Sequence, residues 1–81
     1  MEYNEVLIKL TALIQEETGY ALELIQPETT LDSLDLDSLS LLTVLVNAEP
    51  IMGVKLVDNL PPDALTVGDV AQFITNEIGK E

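Results

Sequence analysis

The chain contains neither cysteine nor histidine, and only 3 of its 81 residues are cationic. Without cysteine there are no disulfides and no thiolate chemistry. Without histidine there is no Ser–His or Cys–His dyad and no imidazole base. Zinc sites built on Cys or His fall with the same two absences. Against 15 Asp and Glu, the scarcity of cations leaves a formal net charge of −12. A field of that sign repels nucleic acid and anionic headgroups, and it attracts basic protein surfaces. No apolar run reaches the roughly 18–20 residues of a membrane span. The acidic start Met1–Glu5 does not read as a signal peptide. Apolar residues nonetheless make up 47% of the chain, which separates it from acidic disordered tails. The expectation is one soluble, cytoplasmic domain over residues 1–81, monomeric and held by its core alone, with no nucleic-acid partner.

What is present reads as helices divided by turn chemistry. Tyr3, Val6, Leu7, Leu10, Leu13 and Ile14 recur at helical spacing, so a helix is expected over Asn4–Thr18, with Gly19 as its stop and a possible Glu5–Lys9 pair on its surface. A long connection follows, Gly19–Asp37, in which Pro27 and Thr29-Thr30 oppose helix. Its Leu22, Leu24, Ile25, Leu31, Leu34 and Leu36 are apolar enough to pack across the bundle. A second helix should begin at Asp37-Ser38 with Asp37 as N-cap. Pro50 should end or kink it near Ala48–Glu49, and Gly53 should close whatever follows. A short third helix fits Pro61–Leu65, with Pro at its first position. Thr66 then caps the last helix, with Asp69 three residues on as its capping-box partner. Val67, Val70, Ala71, Phe73, Ile74 and Ile78 form its apolar stripe. No segment shows sustained period-2 alternation. The fold class is all-α: a small four-helix bundle, three main helices plus one short one, with a long first loop.

The stretch Thr30–Leu39 places Ser38 at the first turn of a helix, behind an acidic cap and between Leu36 and Leu39 as anchors. A helix N-terminus is a ready phosphate site. No base in the chain stands ready to activate Ser38, because Lys9, Lys55 and Lys80 lie in unrelated segments. Chemistry at Ser38 would therefore be done by another protein. Asp37-Ser38-Leu39, preceded by Leu34-Asp35-Leu36, resembles the attachment motif of acyl carrier proteins, and Thr66-Val67-Gly68-Asp69-Val70 matches a second pattern of that family. The resemblance implies that Ser38 receives 4′-phosphopantetheine from coenzyme A through a phosphopantetheinyl transferase. The arm then carries acyl groups as thioesters to synthase and acyl-transferring enzymes. The chain itself would be a non-catalytic carrier for fatty acid, polyketide or specialised lipid biosynthesis, lipopolysaccharide-type pathways included.

Three departures from the family pattern stand out. Asp35 occupies a position where the family often has Gly. The second helix holds Ser40, Thr43, Pro50 and Ile51 where fatty-acid carriers place acidic docking residues, and only Glu49 keeps a carboxylate between Leu39 and Val57. That suggests a specialised carrier whose partners dock through apolar as well as basic patches. Ala64 is smaller than the aliphatic residue of many relatives. It would widen an acyl pocket whose other candidate walls are Leu42, Val46, Leu56 and Leu60, unless Ile51 or Met52 fills the space.

Plainer accounts apply to the same residues. Ser38 is also an ordinary helix-start serine, and an unmodified acidic interaction domain would need nothing more. A peptidyl or aminoacyl carrier shares the attachment chemistry with another cargo. Asp32, Asp35 and Asp37 do not make a calcium loop, because Leu34, Asp37 and Thr43 fall where such a loop needs a ligand, a glycine and a glutamate. No metal site is expected.

Overall fold

The computed structural model describes residues 1–80, so the final position of the expected domain lies outside the described residues. Three helices form: α1 (Tyr3–Thr18), α2 (Ser38–Met52) and α3 (Val67–Gly79). In α1 the four-residue spacing of Val6, Leu10 and Ile14 stacks them on one face, and all three are fully buried. That face packs against both α2 and α3, which make little direct contact with each other. Leu45 and Val44 of α2, Val67, Val70 and Ile74 of α3, and Leu56 complete the fully buried centre. No polar or charged residue is buried among the described residues. No helix among them is long and apolar enough to cross a membrane.

The helix ends follow local chemistry. Gly19 takes the left-handed conformation (φ 80°) and donates its N–H to the Gln15 carbonyl, ending α1. Thr66 and Asp69 form the expected capping box of α3: Asp69 N–H donates to Thr66 Oγ1 at 3.1 Å, and Thr66 N–H donates to Asp69 Oδ2 at 3.1 Å. Asp69 Oδ2 also accepts from Leu65 N–H at 2.9 Å. The Glu5–Lys9 pair is not closed; Lys80 pairs with Glu77 at 2.7 Å instead.

One expectation about the helices is narrowed and another corrected. Pro50 does not end α2, which continues to Met52. The proline forfeits one bond, to the Val46 carbonyl, on a face where Val46 and Pro50 are both exposed and water can take the freed acceptor. Ala48 and Met52 bury on either side of it, and Gly53 (φ 75°) then closes the helix by donating to the Glu49 carbonyl. The short helix at Pro61–Leu65 does not form. Only a turn closes there, Ala64 N–H to Pro61 carbonyl at 3.3 Å. The backbone beyond is drawn out because Asp69 takes the Leu65 and Thr66 N–H groups and Leu31 N–H donates to the Leu65 carbonyl at 2.9 Å.

The long connection does pack across the helices, through short 3-10 turns at Leu22–Leu24 and Asp32–Leu34. Ile25, Leu31, Leu34 and Leu36 are buried, but Leu22 and Leu24 are exposed. The residue turned inward is Ile25, which follows the first turn. The connection is pinned to the start of α3 by a single antiparallel bridge, Thr30 with Thr66. Val67 N–H donates to the Thr29 carbonyl at 3.0 Å, and Gly68 N–H donates to the Pro27 carbonyl at 2.8 Å.

Candidate functional site

The turn before α2 determines how Ser38 is presented. Leu36 N–H donates to the Leu31 carbonyl at 3.0 Å and Asp35 N–H to the Asp32 carbonyl at 3.1 Å. These six-to-one and five-to-two bonds make a Schellman closure of the Asp32–Leu34 turn, with Leu31 and Leu36 buried together beneath it. Asp35 sits at the left-handed position that such a closure demands (φ 58°), the only non-glycine with positive φ among the described residues. Its carboxylate accepts from the Tyr20 hydroxyl at 2.8 Å. That bond first, and then the carboxylate's charge, push the Tyr20 hydroxyl above its ordinary range.

Two residues after Asp35 the chain is extended at Asp37, and α2 begins. Asp37 Oδ1 accepts from Ser40 N–H at 2.8 Å, and the Asp37 carbonyl accepts from Leu41 N–H. The Ser40 N–H holds the Asp37 carboxyl below the usual carboxylate range. Ser38, the first residue of the helix, is exposed, and its hydroxyl has no hydrogen-bond partner among the described residues. Beside it an open cavity of about 700 Å³ runs toward Leu60–Leu65.

Of the residues singled out from sequence, Ser38, Asp37, Leu60 and Ala64 come together around this cavity. Leu42 and Val46 do not line it; they lie on the exposed side of α2. Leu56 is sealed in the core. Leu36 is buried as an anchor should be, whereas Leu39 is 72% exposed and anchors nothing. Neither Ile51 nor Met52 fills the room beside Ala64: Ile51 is exposed, and Met52 is buried away from the cavity. Leu31, Leu41, Pro61 and Leu65 are walls that spacing alone did not indicate. Leu41 lies one helical turn beyond Ser38, the signal that could have found it.

Glu49 has a use that its position in the sequence concealed. Its Oε2 accepts from Leu56 N–H at 2.7 Å and from Val57 N–H at 3.1 Å. Those two donors, Leu56 foremost, hold its carboxyl below the usual range. The one carboxylate of α2 is thus turned onto the following loop. Leu39, Leu42, Val46 and Pro50 then form an uncharged, exposed stripe along the helix.

Residues 9–74 match the family model described as a phosphopantetheine attachment site. This chain belongs to the acyl carrier protein family. An acyl carrier protein of Arthrobacter sp. (strain FB24) is 40% identical over 74 residues, covering 90% of this chain and 91% of the relative. One from Myxococcus xanthus is 42% identical over 72 residues, covering 88% and 91%. Members carry a covalently attached 4′-phosphopantetheine. The site fits such a group: it offers one exposed, unengaged hydroxyl at a helix N-terminus, beside an open cavity whose walls are apolar toward Leu60–Leu65 and carry Asp32 and Asp37 near the serine.

Proposed function

We propose that this protein, as a single domain over residues 1–81, tethers acyl intermediates as thioesters on a 4′-phosphopantetheine arm attached at Ser38. The observation that carries this reading is the exposed, unengaged Ser38 hydroxyl behind the Asp37 cap. When bound, the group supplies a thiol on a long tether. The protein's own residues do the rest. Asp37 fixes the helix start, Leu36 seats the preceding turn in the core, and Leu41, Leu60 and Ala64 wall the space beside the serine. Loading and elongation on this reading belong to partner enzymes, and attachment to a phosphopantetheinyl transferase, because the chain has no histidine or cysteine to activate Ser38.

The partners we infer have apolar docking patches with basic surroundings, because the α2 stripe is uncharged while the molecule as a whole carries −12. This favours a specialised polyketide or lipid pathway over general fatty-acid synthesis, acting on a cytoplasmic, monomeric carrier. Fatty-acid synthase enzymes should load and elongate on it more slowly than on a housekeeping carrier, and equal rates would overturn that assignment.

The decisive experiment is the intact mass after incubation with coenzyme A and a broad-specificity transferase. One phosphopantetheinyl increment is expected on the wild type and none on Ser38→Ala. No increment on the wild type, with the transferase active on a control carrier, would make the chain an unmodified acidic docking domain.

A further inference from the structure

The residue at the left-handed position of the turn before Ser38 bears directly on the serine's presentation. A Schellman closure asks its C′ residue for positive φ, which glycine adopts freely and other residues adopt under strain. Here that residue is Asp35, and its side chain is tied to a tyrosine 15 positions away. Tyr20 is itself well anchored. It follows the Gly19 cap of α1, its N–H donates to Thr18 Oγ1 at 3.3 Å, and its half-buried ring packs against the core. The connection runs from the end of α1 through the Tyr20 hydroxyl to Asp35. Asp37 N–H donates to the Asp35 carbonyl at 3.2 Å, and the helix bearing Ser38 starts there.

We propose that Tyr20 is a positioning residue for modification of Ser38: its hydroxyl holds Asp35 in the left-handed conformation and so fixes the turn that presents the serine to the transferase. The proposal rests on Ser38 being the attachment site. The tyrosine does, through a side-chain bond, what a glycine at this position does through conformational freedom. The aspartate can visit the left-handed region on its own, and its partner holds it there.

The test is transferase kinetics on the unmodified carrier, followed by intact mass, with amide hydrogen exchange of Leu36–Leu39 measured in parallel. Tyr20→Phe removes the hydroxyl and keeps the ring. It should raise the KM for the carrier about 2- to 10-fold, the value of one hydrogen bond, with kcat nearly unchanged. It should also speed exchange at Leu36–Leu39. Asp35→Asn, which keeps an acceptor and tolerates positive φ, should stay near wild type. Asp35→Gly placed in the Tyr20→Phe background should restore both KM and exchange, because glycine needs no restraint. A loss of general stability would not be rescued in that way. Wild-type kinetics in Tyr20→Phe overturn the proposal, and so does a raised KM that Asp35→Gly fails to restore. If the wild type itself takes no phosphopantetheine, the Ser38 reading fails and the positioning role with it. If the wild type is modified and Tyr20→Phe behaves identically, the positioning role fails alone.

Discussion

At the scale of single residues, Gly68 has the closest surroundings of the four glycines. An added Cβ there would lie 2.9 Å from the Pro27 carbonyl oxygen and 3.2 Å from the Tyr3 hydroxyl. The first neighbour is backbone, itself held by the Gly68 N–H, and cannot swing aside. Gly68→Ala is therefore expected to cost about 1–3 kcal/mol, seen as a fall in Tm of at least ~4 °C. Gly79→Ala is the control: it meets nothing within 4 Å and its φ is not positive, so it should be neutral or slightly stabilising. Helix-capping chemistry was legible in the sequence where both partners lie within one turn, as with the Asp37 cap and the Thr66–Asp69 box, whereas surface ion pairs at the same spacing were not. The Tyr20–Asp35 bond was not legible. Its partners are 15 residues apart, and no periodicity connects them. Leu39 misled for a related reason: a leucine in a motif looks like an anchor until the helix phase places it outward.

At the scale of elements, the segment after α2 depends on side chains that reach across from its neighbours. Glu49 holds Leu56 and Val57, and Asp69 holds Leu65 and Thr66. Both carboxyls, like that of Asp37, are held below the usual range by the backbone N–H groups they accept from. Because the folded value is the lower one, each contributes stability that is present above the ordinary carboxylate range. That stability is lost as pH falls through the folded value. The double variant Glu49→Gln/Asp69→Asn should thus be less stable than wild type at pH 7 and should lose less between about pH 5 and pH 3, read by circular dichroism. An acid limb as steep as that of wild type would refute the assignment. α1 and α3 could be read from apolar spacing because their packing faces are continuous, and α2, apolar on most sides, from its Asp37 cap. The absent helix at Pro61–Leu65 could not, since what prevents it are bonds from Leu31 and Asp69 that no local pattern encodes.

For the whole molecule, charge and core oppose each other. The buried side chains are all apolar, with no buried polar or charged residue among the described residues, while the chain carries −12. Self-repulsion of that size disfavours the compact state, and salt screens it over a Debye length of ~10 Å at 0.1 M. Tm should rise with added NaCl. Among the described residues no group of three or more carboxylates is placed to hold a metal ion. Magnesium should therefore act mainly through ionic strength, and a much larger effect than NaCl at matched ionic strength would reveal a specific site. The all-helical class was legible from helical segments with no period-2 alternation anywhere, and the carrier family from the resemblance of Asp37-Ser38-Leu39 and Thr66–Val70 to its motifs.

The arrangement in which α1 touches both other helices while α2 and α3 make little direct contact has a mechanical consequence. It works like a spine with two covers. The gap between the covers is spanned by residues 53–66, fastened at Glu49, Leu31 and Asp69. Changing the length or side chains of that strip, Ala64 among them, alters the width of the gap without recutting any of the three helices. The helices are the fixed frame, and the strip between them is the part that can vary without disturbing their packing faces.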